Sequence, residues 1–339
     1  MLDKSADFFK IEDNFAKTKN ITSISLIQSK LSFEPQITIA IPTYKRADLL
    51  RDTLDSAINQ IEFIEYDIVV VDNNPERGCE TEKLMNFYNN PRLSYYKNEE
   101  NIGMFGNWNR CIELSSGKYL TILNDDDILE PNYLKCVLEI VSVKQNLDAI
   151  IVGHKVIDSE GKLILKHKIA EPKLNKVIPL DLQLGNVNPG SLGILFTKES
   201  LLTIGGYDEK FYPSSDYMFL VKYLAHYDNV FYLNAQLTKY RIGFNESKKI
   251  ATLQGFIEMD TKIRQSFKII YPILRKVIDL AQNVIILKQY KALSAASEEF
   301  ENINSKHIEK LEKDINFFNK IAFKSIPIFC KLIRFKNKL

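Results

Sequence analysis

The sequence predicts an α/β protein built on a doubly wound, mostly parallel sheet, with a helical C-terminal region. Three observations carry that prediction. Short apolar runs alternate with helix-period segments from Ile37 to Leu123, the order that produces parallel strands joined by right-handed crossovers. Two of those runs, Asp67 to Asp72 and Tyr119 to Leu123, stop abruptly at carboxylates, as buried strands do when they deliver a site at their C-terminal ends. Beyond Ile250 the apolar period is helical throughout. The chain therefore divides into an N-terminal extension (1–35), a sheet domain (36–250, with halves 36–130 and 131–250) and a helical region (251–339).

Taken in order, residues 1–35 show a weak helical pattern through Ile21, Ile24, Leu26 and Ile27, which predicts one or two helices. Ile37 to Thr43 is a strand with a proline at its exit, and Arg46 to Gln60 places Leu50, Leu54, Ala57 and Ile58 at helical spacing. Asp67 to Asp72 is a second strand, closed by the turn residues Asn73, Asn74 and Pro75. A helix over Glu80 to Tyr88, a strand over Leu93 to Lys97 and a helix over Gly103 to Leu114 lead to the strand Tyr119 to Leu123. After Pro131 a helix runs to about Val143. Strands at 149–156 and 162–165 flank the turn 158–161, and a loop rich in Asn, Pro, Gly and Ser (186–192) precedes a strand at 193–197. Gly205 and Gly206 permit a chain reversal before an aromatic, acidic loop, Tyr207 to Asp216, that runs into a helix.

Composition narrows the functional classes. A net charge of +2 over 339 residues gives no overall basic field for nucleic acid. The four cysteines, Cys79, Cys111, Cys136 and Cys330, form no CxxC pair, which fits reduced thiols rather than a disulfide framework or zinc site. Met1 to Lys10 lacks the apolar core of a signal peptide, and no run reaches the roughly 18 apolar residues of a membrane span. A soluble or peripheral cytoplasmic protein is expected.

The chemistry concentrates at Asn124-Asp125-Asp126-Asp127. Three adjacent carboxylates repel one another and need a positive partner. Their hard oxygens suit Mg²⁺ or Mn²⁺, which take one or two protein carboxylates and complete their shell with water and phosphate; a solvated acidic turn is the alternative. No GxGxxG follows the first strand and no GxxxxGK occurs, so neither the dinucleotide fingerprint nor the P-loop explains a nucleotide site. Tyr44, Asp72 and the aspartates nevertheless share the ligand-binding edge of the predicted sheet.

The ordered set Ile41-Pro42-Thr43-Tyr44-Lys45-Arg46, Val69 to Asn73, Asn101-Ile102-Gly103, Ser116 to Asp127, Gly205 to Glu209 and Ser215-Asp216 resembles the family-2 glycosyltransferases of the GT-A fold over about residues 36–245. That resemblance implies an inverting transfer of sugar from a nucleotide-sugar donor, with UDP the expected nucleotide, to a glycan or lipid-linked acceptor of a surface polysaccharide. It also implies Mn²⁺ or Mg²⁺ on the acidic motif. Two registers place metal or ribose on Asp125 and Asp127, or on Asp126 with Asn124 replacing the first acid. Pro42, Thr43 and Tyr44 should border the nucleoside, Asp72 should bind base or ribose, Asn101 and Gly103 should lie under the nucleotide, and Arg241 should offset diphosphate charge. Asp216 should be the base, with Ser215 where relatives carry Glu and Gly243 where many carry a His ligand. For Asp72, Asp216 and Arg241 the bland readings are a turn cap, a helix N-cap and a surface ion pair. A nucleotidyltransferase and a non-catalytic sugar-binding scaffold are the competing functions.

The helical stripes beyond Ile250 predict a small bundle core or a homodimer face. From Ile315 to Leu339 the chain carries Lys320, Lys324, Lys331, Arg334, Lys336 and Lys338 among Phe317, Phe318, Phe323, Phe329 and Phe335, without an acid. That mixture predicts a peripheral anchor on the inner face of the cell membrane, with Pro327 expected to interrupt its helix.

Overall fold

The computed structural model describes residues 8–62, 65–165, 171–243 and 249–336. Its centre is β2 (Ile37–Thr43) and β3 (Tyr66–Asp72), both wholly buried, as strands covered on two faces must be. β1 (Ser23–Ile27) pairs antiparallel with β4 (Leu93–Asn98), and the sheet then runs β4, β3, β2, β5 (Tyr119–Ile122) in parallel. Register fixes the consequence. Thr43 lies opposite Asp72 and Ala40 opposite Ile122, so the chain beyond β5 emerges beside Thr43.

The second half of the sheet is mixed. β6 (Ile128–Leu129) pairs antiparallel with β11 (Val230–Arg241), which runs parallel to β7 (Ala149–Ile157). β8 (Leu163–Leu165) and β9 (Leu174–Lys176) extend β7 and β11, and β10 (Ile194–Thr197) joins the two halves antiparallel between β5 and β7. The expected doubly wound architecture is present, and β11 is a twelve-residue strand that is not among the elements named from the sequence. Ser23–Ile27 also differs from expectation, being an edge strand rather than a helix. Its three apolar residues, Ile24, Leu26 and Ile27, fit either period, and pairing of Ser23 with Asn98 on an open sheet edge decides the matter.

Helices cover both faces. α1 (Ala47–Ile58) and α4 (Tyr133–Val143) pack with Ile37, Ile39 and Ile41 on one face. α2 (Glu80–Met85) contributes Leu84 and Met85 there. On the other face α3 (Met104–Leu114), α5 (Lys198–Thr203) and α6 (Ser215–His226) pack with Ala40, Val69 and Val71, the alternation that a period of two requires. The C-terminal α7 (Ile250–Ile270) and α8 (Arg275–Ala296) extend that second core with Ile263, Phe267, Ile278 and Ile285, whereas Phe300 of α9 (Glu298–Asp314) packs with Leu253 and Ile257. The stripes are therefore core. α10 (Phe317–Lys336) continues through Pro327. Pro327 is exposed, so its ring lies on the outer face of the helix and the expected interruption is absent.

The N-terminal segment clamps the Gly205-Gly206 reversal. Asn14 donates both its backbone N–H and its side-chain amide to the Gly205 carbonyl, each at 3.0 Å, and Lys17 pairs with Asp208 at 3.0 Å. Gly205 has φ +82°, and a Cβ there would lie 1.9 Å from the Glu12 carbonyl oxygen. Gly205→Ala is expected to cost at least about 2 kcal/mol, combining left-handed backbone strain with a steric clash. Thermal unfolding and limited proteolysis of residues 8–22 check this; an unchanged midpoint and cleavage pattern would show that the clamp contributes nothing.

Candidate active site

The acidic turn after β5 is built by burial and then compensated. Asp125, Asp126 and Asp127 are 6%, 6% and 0% exposed. Thr43 Oγ1 donates to Asp125 Oδ2 at 2.8 Å and the Tyr44 N–H approaches the same oxygen at 3.4 Å. Arg46 Nη1 reaches Asp125 Oδ1 at 3.3 Å and Asp126 Oδ2 at 3.0 Å. Asp127 faces inward: its Oδ1 accepts the Arg241 N–H at 2.9 Å and its Oδ2 accepts from Asn124 Nδ2 at 3.0 Å. Burial lifts Asp125 to about 6 against the opposing pull of Arg46. It raises Asp126 too, and with the neighbouring Asp126 charge it holds Asp127 well above the usual carboxylate range.

This turn lines a cleft of about 700 Å³. Pro42, Thr43, Tyr44 and Arg46 form one wall; Asn101, Gly103 and Trp108 line another. Trp108 is held edge-on to Tyr207 at 5.0 Å, and Asn109 locks Tyr207 by bonding both its N–H and its carbonyl at 2.8 Å. Gly103, at φ +77°, is the N-cap of α3. The Ile102 and Gly103 N–H groups are taken by Asn73 Oδ1 and Asn101 Oδ1, both at 3.0 Å, so the ring of amides Asn73, Asn98, Asn101 and Asn107 shapes this wall.

Asp216, in the first turn of α6, lines the same cleft beside the 186–192 loop. Its Oδ2 accepts from Asn186 Nδ2 at 2.8 Å and from the Gly190 N–H at 2.9 Å. Gly190 links this part of the cleft to the acidic turn: a Cβ at that position, φ +58°, would meet Asn124 Nδ2 at 2.6 Å, and Asn124 also holds Asp127. Burial raises Asp216 to about 6, in the range that suits a general base near neutral pH. α7 lines this part of the cleft with Thr252, Phe256 and Asp260, the last held by Ser214 at 2.6 Å and Gln289 at 2.7 Å.

Residues 38–201 match the sequence profile of glycosyl transferase family 2. This segment is a family-2 glycosyltransferase domain. An uncharacterized glycosyltransferase of Methanocaldococcus jannaschii is 25% identical over 62% of this chain and 71% of its own length. The GalNAc(5)-diNAcBac-PP-undecaprenol beta-1,3-glucosyltransferase of Campylobacter jejuni is 25% identical over 87% of this chain and 89% of its own. Of several Rickettsia glycosyltransferases the chain spans about a fifth of the length. The fold is GT-A: S. aureus TarS 1-349, crystallised with UDP-GlcNAc, superposes with a TM-score of 0.55 at 15% identity, over 86% of this chain and 91% of that one.

Within this GT-A frame the expected residues separate into two groups. Pro42, Thr43, Tyr44, Asn101, Gly103, Asp125, Asp126 and Asp216 meet in the cleft. Asp72, Asp127 and Arg241 stand behind it. Asp72 is 0% exposed. It accepts from Lys97 Nζ and Tyr95 Oη, both at 2.8 Å, and from the Asn74 N–H at 2.9 Å, so it braces the turn after β3. Arg241 is 3% exposed, donating from Nε to the Asp126 carbonyl and from Nη2 to Asp52, both at 2.9 Å. It supports the acidic turn from beneath instead of facing a diphosphate. The polar segment Ile242 to Ser247, which the family resemblance implies closes over the donor, lies from residue 244 onward outside the described residues.

Arg46, Asn73, Trp108, Gly190, Phe256 and Asp260 are cleft residues to which the sequence assigns no role in the site. Arg46 and Asn73 belong to the motifs that carry the family resemblance, and Gly190 to the loop 186–192 rich in Asn, Pro, Gly and Ser. Phe256 and Asp260 read only as part of an amphipathic helix. The donor set fits a hard divalent cation. Asp126 and Asp125 are adjacent carboxylates lining the cleft, and such an ion takes one or two carboxylates when water and phosphate complete its shell. Among the described residues no group of three or more His, Cys, Asp or Glu is placed to hold a metal ion by itself.

The raised Asp216 carboxyl has a consequence for stability. Its native pKa of about 6 exceeds the unfolded value of about 4, so the native state binds the extra proton between them. Its contribution is full below about pH 4 and is lost as pH rises through 6. Relative to Asp216→Asn, the parent should therefore lose about 2 kcal/mol of unfolding free energy between pH 4 and 7. Denaturant unfolding of both proteins across that range is the check, and parallel curves would contradict it.

Proposed function

We propose that the protein is an inverting, metal-dependent glycosyltransferase that moves sugar from a UDP-sugar to a glycan or lipid-linked acceptor of a surface polysaccharide. The observation that carries this reading is one cleft lined both by the oxygen donors Asp125 and Asp126 and by the buried Asp216, whose carboxyl is raised to about 6. Direct displacement at an anomeric carbon uses both kinds of group, because a base must take the proton of a hydroxyl that enters opposite the departing diphosphate. Asp216, steadied by Asn186 and Gly190, takes the hydroxyl proton as the new bond forms. Tyr44, half exposed beside Thr43, offers a ring face to the nucleoside. A Mg²⁺ or Mn²⁺ held by Asp126 with Asp125 would neutralise charge on the leaving diphosphate. The nucleotide in the TarS complex and the lipid-linked glycan in the Campylobacter enzyme's name support these choices of donor and acceptor.

Asp216→Asn should lower kcat by about 10²–10⁴-fold, the range for losing a positioned base, while UDP affinity stays near that of the parent. Asp126→Ala should abolish metal-dependent donor binding. Turnover assays with product analysis decide the reaction class: free UDP supports transfer, pyrophosphate a nucleotidyltransferase, and binding of UDP-sugar with no turnover on any acceptor a scaffold. An Asp216→Asn enzyme with near-parental kcat would place the base elsewhere.

We further propose that α10 lies on an anionic membrane surface. Ile326 and Cys330 face the core, whereas Phe317, Ile321, Ile328, Leu332 and Phe335 are 48–71% exposed on the opposite side. They recur at spacings of three, four or seven, which is one helical stripe, flanked by the exposed Lys320, Lys324 and Lys331. Arg334 is diverted to Asp181 at 2.6 Å, and Phe323 and Phe329 pack inward, so only part of the basic and aromatic tail is presented. No helix among the described residues is long and apolar enough to cross a membrane. Each lysine at such a surface contributes about 1 kcal/mol. Flotation with anionic vesicles should be salt-sensitive and lost in Lys320→Glu/Lys324→Glu/Lys331→Glu. Parent protein that stays soluble at low salt would overturn the proposal, and a dimer on gel filtration would assign the stripe to a second copy.

A further inference from the structure

The position of Arg46 at the cleft floor is not explained by the fold. It is the N-cap residue of α1, and its carbonyl accepts the Leu50 N–H at 3.0 Å, so its main chain is fixed by the helix. Its side chain is 30% exposed and enters the cleft. Arginine paired with a carboxylate normally presents two nitrogens in a planar fork. Here one nitrogen, Nη1, contacts both acids, Asp125 Oδ1 at 3.3 Å and Asp126 Oδ2 at 3.0 Å. The guanidinium therefore acts as a point charge between two carboxylates, the position a bridging cation takes, without the two-nitrogen fork that would lock it to either one.

We infer that Arg46 is a resident counter-cation for Asp125 and Asp126, and that a divalent ion arriving with the donor diphosphate displaces it into the cleft. This inference rests on the metal-dependent reading of the site. Without a cation two adjacent carboxylates, each 6% exposed, would be left facing one another, and their mutual repulsion in a desolvated site is severe. Arg46 removes that repulsion in the free enzyme. Asp125 keeps its place when Arg46 leaves, because Thr43 Oγ1 at 2.8 Å still holds Oδ2. Asp126 Oδ2 is the oxygen that departure of Arg46 uncovers. The released guanidinium then has the phosphate oxygens within the same cleft as its new partner, a geometry arginine matches well. Nucleotide and metal binding become coupled through one side chain: metal alone must compete with Arg46, whereas metal with nucleotide gives Arg46 somewhere to go.

The test is Mn²⁺ titration followed by the electron paramagnetic resonance signal of free Mn²⁺, with and without UDP, on the parent, Arg46→Gln and Arg46→Lys. Without UDP, Arg46→Gln should bind Mn²⁺ at least about tenfold more tightly than the parent, as removal of a competitor that occupies the site most of the time predicts. Arg46→Lys, which keeps the charge, should stay near the parent. UDP should tighten Mn²⁺ binding to the parent more than to Arg46→Gln, because the coupling runs through the displaced side chain. Adding Asp126→Asn to Arg46→Gln should erase the gain, and circular dichroism confirms that each variant is folded. Equal Mn²⁺ affinity in the parent and Arg46→Gln, or equally tight binding by Arg46→Lys and Arg46→Gln, overturns the inference while leaving the metal reading intact. UDP binding without any Mn²⁺ binding in either protein overturns both.

Discussion

Everything at the site depends on how three consecutive carboxylates are kept buried. A lone buried carboxylate is strongly disfavoured, and three in sequence add mutual repulsion. The protein answers each differently. Asp127 is turned inward and receives the Arg241 N–H and the Asn124 amide. Asp125 is held by Thr43 at the end of β2. Asp126 is left with Arg46 on one side of its carboxylate and Arg241 beneath its carbonyl. The turn is thus pinned from β2, α1 and β11 together, and of the two acids that line the cleft Asp126 is the one whose carboxylate has no bond from β2.

The sheet direction brings Arg241 to the turn. β10 is antiparallel to both β5 and β7, and β11 is parallel to β7, so β11 runs in the direction of β5 and its C-terminal Arg241 reaches the same edge as the ends of β2, β3 and β5. The β11–β7 pairing shifts register between Leu233 and Thr238 and resumes through Arg241. β10, antiparallel between β5 and β7, follows the 186–192 loop, so Gly190 can touch Asn124 on one side and donate to Asp216 on the other.

The C-terminal helices are part of the cleft as well as of the core. Ile263 and Phe267 on one face of α7 anchor it to the second sheet face, while Thr252, Phe256 and Asp260 reach the cleft from another. These residues lie beyond the 38–201 segment that matches the family profile, so this part of the cleft is contributed from outside the matched segment. α10 packs through Ile326 and Cys330 and presents its opposite stripe outward.

What the sequence by itself determined was the order of strands and helices in the first half, the edge at which they converge, and the residue types gathered there. Ile37 to Asp127 was legible because apolar runs ending in carboxylates report burial and site together, and period decides strand against helix over that length. Pro42, Thr43, Tyr44, Asp125, Asp126 and Asp216 accordingly meet in one cleft. Only the tertiary structure decided which of the similar acids and bases face it. Asp72 and Asp126 are both carboxylates after buried strands, yet Lys97 and Tyr95 from β4 claim the first and leave it no exposure. Arg46 and Arg241 are both arginines near the motif, and pairing partners nearly two hundred residues apart, such as Asp52 with Arg241, settle which is support and which enters the cleft. Local patterning fixes an element and the edge it ends on; the direction in which a charged side chain finally points is set by which distant group neutralises it, and that information resides in the fold.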